Sequence, residues 1–490
     1  MKDISPAPAI EAAWRNFVDG AWCEGENGDR LTVMDPASAQ PLAEVALAGA
    51  ADVGRAVETA KRVATSRALS GIRPLDRCAM VQEMGRLLKK RADETAQIIC
   101  RDVGKSLNDA KGEALAAARY FEYFGAAASQ IEGQYIPLAD GLTTYVKPEA
   151  YGVVAHVIPW NFPHLMVARS LAPALAAGNA NVVKAPELAP LSCYVFAEAA
   201  MEAGFPAGAV NVLCGTGAEA GAALVSHAGV DLIVFTGSVP TGQAILRASA
   251  AHIVPSVLEL GGKSAAIVRP DADIETVLEN VRIGIFENAG QVCDAMSRLI
   301  VEPKHYEHVV EAVAEMASRL TLGPGWENAD ITPLISDCQK RRVMAAVDAG
   351  QAAGAHIAYG GGSCSDHAGY FHEPTVFAGV TADMDLNRKE VFGPVLSILP
   401  AENLDHAITL ANGTDYGLAS GVFTRDLDAA LWCADRLDAG LVHINEWALG
   451  SCETPFGGTK QSGIGRERGR EGLASYYQSK SVNIRHARPW

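Results

Sequence analysis

Four short apolar, β-branched runs, each closed by proline or glycine, constrain this chain more than any other feature. They are GVVAHVIP (152–159), NANVVKAP (179–186), AVNVLCG (209–215) and VDLIVFTG (230–237). A strand with one wet face alternates apolar and polar residues. These runs do not alternate, so each is expected to be covered on both faces. Helical stretches separate them, among them an Ala/Leu-rich segment at 166–177, and that alternation predicts a parallel, doubly wound α/β sheet. Such a sheet holds ligands at the carboxyl ends of its strands. Upstream, residues 50–67 and 74–102 carry helical spacing. A second α/β series begins near Gly261 and runs to about Gly440, with strands expected at 264–268, 299–301 and 396–399. The extended segments 130–147 and 479–485 stand apart from both series and read as arms that pair with a neighbouring subunit, or as plain surface ribbons.

The 490 residues carry 41 Lys+Arg against 57 Asp+Glu, a net charge of −16. That balance offers nucleic acid or an anionic membrane no broad basic surface. No stretch of eighteen apolar residues occurs, and the N-terminal sequence lacks the apolar core of a secretory leader. The ten cysteines include no CxxC pair and are sparse for this length, as expected of reduced thiols in a cytoplasmic protein.

Several strings carry chemistry. GTGAEAG places glycines at 215, 217 and 221 between a strand and a helix, one residue off the dinucleotide fingerprint. FTGSVPTG (235–242) is a strand, a Gly-Ser turn and a helix beginning near Pro240, whose free N–H groups suit a pyrophosphate. GGKS (261–264) resembles the tail of a phosphate loop, but Val257 stands where that loop needs its first glycine. In PWNFP (159–163) prolines restrict the backbone around Asn161, whose amide either caps the following helix or donates to an oxyanion. ENAGQVC places Cys293 in a Gly-containing loop before a strand, where a thiol is a nucleophile only if it ionises. LELGGK sets Glu259 between leucines. There it is an exposed edge residue or, if buried, a general base of raised pKa. KEVFGPV (389–395) and the loop 445–469 are long, Gly-rich and irregular, as functional loops tend to be.

Together these strings closely resemble the NAD(P)-dependent aldehyde dehydrogenase superfamily over nearly the whole chain. PWNFP, FTGSVPTG, LELGGK, GQVC, EVFGPV and PFGGTKQSG occur in the family's order. The resemblance implies a Rossmann-like cofactor domain (1–129 and 148–260), a related α/β catalytic domain (261–460) and a β-arm (130–147 and 478–490) that builds dimers or tetramers. It implies oxidation of an aldehyde to the acid, with Cys293 as nucleophile, Asn161 as oxyanion donor, Glu259 as base and Glu467 assisting proton movement. Ile158, Trp160, Gly217, Gly237, Ser238, Leu260 and Gly261 would follow the cofactor, with Glu390 and Phe392 at its nicotinamide ribose. Lys184 and Glu187 would hold the adenosine ribose, and a carboxylate there repels a 2′-phosphate, so NAD is favoured over NADP. No metal is required.

The chain departs from familiar members of that family around the expected substrate tunnel, built from Phe162, Arg169, Glu287, Asp294, Trp447 and Phe456. Arg169-Ser170 replaces a common Trp-Lys pair, and Glu287 replaces an aromatic. The acids Glu287, Asp294, Glu446 and Glu453 suit an ammonium-bearing aldehyde packed by Trp447 and the aromatics of 120–124. Equally, Arg169 pairs with Glu287 or Asp294 and leaves the tunnel neutral, or it meets a semialdehyde's carboxylate or lines the path of an aromatic aldehyde. A CoA-acylating dehydrogenase and a non-catalytic NAD-binding protein are the rival readings, and Glu259 and Cys293 speak against them.

Overall fold

The computed structural model describes residues 9–364, 367–447 and 449–486. The four apolar runs become parallel strands Val153–Val157, Ala180–Ala185, Val210–Cys214 and Leu232–Thr236, and Ser256–Glu259 adds a fifth. Their order across the sheet is Ser256–Glu259, Leu232–Thr236, Val153–Val157, Ala180–Ala185, Val210–Cys214. The chain thus winds outward one way from Val153–Val157, then returns and winds outward the other way. Its switch point lies between Val153–Val157 and Leu232–Thr236, where the diverging loops leave a crevice. Asn16–Val18 and then Ala21–Cys23 close one edge antiparallel. Gly463–Ile464 closes the other against Ser256–Glu259, which brings the C-terminal part of the chain beside Glu259.

Helix Pro163–Ala177 is buried along nearly its whole length, which explains its Ala/Leu composition, and it stops at Gly178 in the left-handed region (φ 94°). The helical pattern at 74–102 forms two helices, Pro74–Lys90 and Ala92–Val103. The break is Arg91, at φ −94° and ψ 6°, whose guanidinium is held by Glu198 and Glu202. Periodicity does not record a one-residue break that preserves the apolar face.

The second sheet runs His356–Tyr359, Thr375–Ala378, Val395–Pro400, Arg298–Val301, Ala265–Val268, Ala419–Phe423, Leu441–Ile444, all parallel except the first. Separate apolar clusters cover it, one including Val281, Val313 and Phe423 and another including Val343, Leu399 and Cys433. A third, three-stranded sheet joins Gln134–Ile136, Leu142–Ala150 and Tyr477–Arg485. Its strands extend past the expected arm boundaries at Ala150 and Tyr477, and residues 487–490 lie outside the described residues. Tyr135, Ile136, Leu138 and Ile484 are exposed on or beside it. Among the described residues, no helix is long and apolar enough to cross a membrane.

Candidate active site

Cys293 is delivered by an unusual turn. Helix Ile274–Val281 widens over Arg282–Phe286 and then tightens over Glu287–Gly290. Asn288, Ala289 and Gly290 are consecutively left-handed (φ 49°, 53° and 70°), which for the two non-glycines costs roughly 1–2 kcal/mol each. Surrounding contacts hold this backbone in place. A Cβ on Gly290 would lie 2.2 Å from the Gly393 carbonyl oxygen, so the turn is pressed against the loop after Glu390. The Asn288 side-chain amide donates to the carbonyls of Asn161 (3.2 Å) and Gln291 (3.3 Å). Gln291 donates to the Asn288 carbonyl (3.0 Å) and accepts from Ile335 N–H (2.9 Å). Asn288 and Gln291 were not among the expected site residues, although two amides flanking Gly290 in ENAGQVC were a usable signal.

Asn161 leaves the carboxyl end of Val153–Val157 and is buried. It does not cap the next helix, whose N-cap position is Phe162 and carries no side-chain bond. Its Nδ2 instead donates to the Gln291 carbonyl at 2.9 Å, two residues before Cys293, and the amide retains a second N–H.

Two cavities meet at the half-buried Cys293. One, of about 400 Å³, is lined by Trp160, Asn161, Gly237, Ser238, Gly261, Glu390 and Phe392. It opens where the switch-point loops diverge. Trp160 stands edge-on to Phe392, ring centroids 5.3 Å apart. Ser238 caps helix Val239–Ser249, accepting from Thr241 N–H at 3.4 Å, so that helix begins at the cavity wall. A Cβ on Gly261 would fall 2.3 Å from Glu390 Oε2, so the bare backbone is what leaves this cradle open. Burial raises the Glu390 pKa to about 7, with the Gly262 N–H and Lys263 opposing. Lys184, Glu187 and Gly217 cluster at neighbouring strand ends: Lys184 Nζ meets Glu187 at 2.7 Å, and Glu187 Oε1 accepts from Gly217 N–H at 3.4 Å. Ile158 and Leu260 are buried beneath, the latter against Gly242, and line neither cavity.

The other cavity, of about 190 Å³, is lined by residues including Phe162, Arg169, Glu287, Asp294, Trp447, Phe456 and Arg468. Trp447 Nε1 donates to the Asp294 carbonyl at 3.0 Å. Lys105, another residue missed in the sequence, is buried against Glu113 and sits 3.0 Å from the Phe162 ring centre, fixing that wall. Burial, with Asp109 next in weight, raises the Glu287 pKa to about 7, Lys105 opposing. Arg169 pairs with neither Glu287 nor Asp294. It is buried in an ion pair with Glu467, over the Phe456 ring at 4.5 Å. Its carboxylate comes from the strand return at the C-terminus, a proximity of 298 residues in sequence that local spacing cannot show. Tyr120, Phe121 and Phe124 lie in the core and do not line this cavity. Glu446 is engaged by His443, and Glu453 by Ser451 and Cys452.

Glu259 ends its strand buried, at 2 % exposure, with neither carboxyl oxygen hydrogen-bonded. Burial raises its pKa well above the usual carboxylate range, Glu467 adds to this, and Arg169, Arg466 and Arg468 oppose it. The Cys293 thiol is also pushed up, by burial first and Asp294 second, while Arg169 favours the thiolate.

The aldehyde dehydrogenase family model matches residues 22–482. An aldehyde dehydrogenase of Davidiella tassiana is 40% identical over 471 residues, covering 96% of this chain and 95% of that protein. The NAD+ complex of an aldehyde dehydrogenase from Bacillus cereus superimposes with a TM-score of 0.94 at 38% identity, covering 96% of each chain. Betaine aldehyde dehydrogenase from Staphylococcus aureus in complex with NAD+ superimposes with a TM-score of 0.95 at 33% identity, covering 97% of this chain and 95% of that one.

Proposed function

Since the chain belongs to the aldehyde dehydrogenase family, we propose that it oxidises an aldehyde to the carboxylic acid through a cysteine thioester, with NAD as hydride acceptor. The observation that carries this reading is the position of Cys293 at the meeting of two cavities, one for each reactant. NAD fits the larger cavity: Gly261 leaves it open beside Glu390, helix Val239–Ser249 begins there, and relatives of this fold are NAD+ complexes. Bound there, the nicotinamide supplies a hydride acceptor. Trp160 and Phe392 would flank the nicotinamide, and Glu390 would hold the adjoining ribose. Glu187, held by Lys184, would bind the adenosine ribose and repel a 2′-phosphate, which favours NAD over NADP.

Cys293 Sγ adds to the carbonyl carbon, and the π electrons move to oxygen, where the Asn161 amide and the Cys293 N–H hold the negative charge. As that oxygen reforms its double bond, hydride leaves the carbon and a thioester remains on Cys293. Glu259 removes a proton from water, whose oxygen attacks the thioester, and the C–S bond breaks to release the acid. Glu467, close enough to influence Glu259 electrostatically, takes that proton onward. Aldehyde, NAD and water thus yield acid, NADH and a proton. The described segment before the arm, with residues 151–260, forms the cofactor domain, and 261–460 the catalytic domain. The exposed arm, around Tyr135 and Ile136, pairs subunits into a dimer or tetramer.

The test is single-turnover kinetics at the NADH absorbance. Cys293→Ala is expected to abolish NADH formation from any aldehyde while NAD binding persists. Glu259→Gln is expected to give a burst of about one NADH per site and little steady-state turnover. Wild-type turnover in Glu259→Gln would remove Glu259 from its role, and acyl-CoA formed on adding CoA would favour the acylating alternative.

A further inference from the structure

Arg468 is the cation of the small cavity to which the chemistry above gives no contact with the substrate. Four charged side chains line that cavity besides His443: Arg169, Arg468, Glu287 and Asp294. Arg169 is consumed by Glu467, and Glu287 has Lys105 among its neighbours. Asp294 follows the nucleophile directly, so its carboxylate is tied to the reacting end. Arg468 enters on another segment. Its guanidinium lies 4.4 Å from the Phe456 ring centre, and Phe456 is fixed by reciprocal backbone bonds to Glu467 at 2.7 and 2.8 Å. No ion pair joins it to a carboxylate among the described residues, although its charge acts on Glu259, and its Nε is buried with no hydrogen-bond partner. Its backbone has a positive φ (59°, with ψ 172°), an unfavourable conformation for a residue with a side chain, and Gly469 follows with φ 58°.

A half-buried guanidinium at a cavity wall, with no ion-paired carboxylate among the described residues, gains when an acceptor arrives at its terminal nitrogens. We propose that Arg468 is the specificity-determining residue of this site, and that it takes an anionic oxygen group, a carboxylate, at the far end of the substrate aldehyde. This rests on the dehydrogenase reading and narrows its substrate class to aldehyde acids. The role that resemblance suggested for Arg169 passes to Arg468, because Arg169 is committed to its buried ion pair with Glu467.

The experiment compares kcat/KM for 4-oxobutanoate against its methyl ester, and for 4-formylbenzoate against its methyl ester. The proteins are wild type, Arg468→Met, Arg468→Gln and Arg468→Lys. The acid-to-ester ratio is expected to fall about ten- to a hundredfold in Met and Gln for at least one spacer, and less in Lys, as loss of a charge-assisted hydrogen bond requires. Ratios equal to wild type in both neutral variants would overturn the proposal. So would a change confined to the pH profile, which would mean that Arg468 acts only on the Glu259 charge. A wild type that makes no NADH from any aldehyde would refute the dehydrogenase reading instead. Calorimetric binding of butanedioate then decides Arg468 separately: tighter binding by wild type than by Arg468→Met supports the anchor, and equal or absent binding overturns it.

Discussion

Glu467→Gln tests the buried centre most directly. Arg169 and Glu467 are 1 % and 2 % exposed, so their charges are compensated almost wholly by each other. Removing one partner of such a pair costs about 3–5 kcal/mol, because the other charge is stranded. Here the glutamine oxygen still accepts from the guanidinium and the Phe456 ring still covers it, which puts the loss at the low end, about 3 kcal/mol. Arg169→Met should cost a similar amount, for it strands Glu467 beside Glu259. The double variant is expected to recover much of both losses, since an uncharged pair of similar volume has no desolvation to offset. Urea unfolding of the four proteins reads these terms as a cycle. Kinetics gives a second reading. Glu259 is raised by burial and then by Glu467, and lowered by Arg169. Glu467→Gln therefore lowers its pKa, so the Glu259 carboxylate forms at lower pH and the rising limb of kcat shifts toward acid. Arg169→Met shifts the same limb toward alkali. Additive destabilisation in the double variant, or limbs that move in the same direction, would refute the assigned pairing.

Further consequences are measurable. The Cys293 thiol is raised by burial and Asp294, so the burst rate should climb about tenfold per pH unit through the neutral and mildly alkaline range without a plateau. Stopped-flow NADH traces check this, and a rate flat across that range would show that the thiolate forms more readily. Gly290→Ala should destabilise the protein by several kcal/mol and slow acylation, since its Cβ would lie 2.2 Å from a carbonyl oxygen at φ 70°. Thermal unfolding and burst amplitude read both effects, and wild-type values in both would show that the turn is not pressed against Gly393. Glu187→Gln should raise the NADP-to-NAD ratio of kcat/KM roughly tenfold by removing like-charge repulsion, unless the 2′-position lies elsewhere.

Sequence alone determined the parallel sheet, because doubly covered strands must be apolar without alternation and the runs at 152–159 and 230–237 are so written. It also singled out Cys293, Asn161 and Glu259, since special backbone positions leave local marks such as the prolines around Asn161 and the glycine before Cys293. What Arg169 pairs with was decided by tertiary structure. Glu467 reaches it only because Gly463–Ile464 pairs with the strand ending at Glu259, and a contact across 298 residues leaves no trace in local spacing. For the same reason the core placement of Tyr120 and Phe124, the clamp formed by Asn288 and Gln291, and the seat of the Arg468 guanidinium against Phe456 became legible only in three dimensions. Periodicity records which face of an element is apolar. Charge compensation depends on which faces meet.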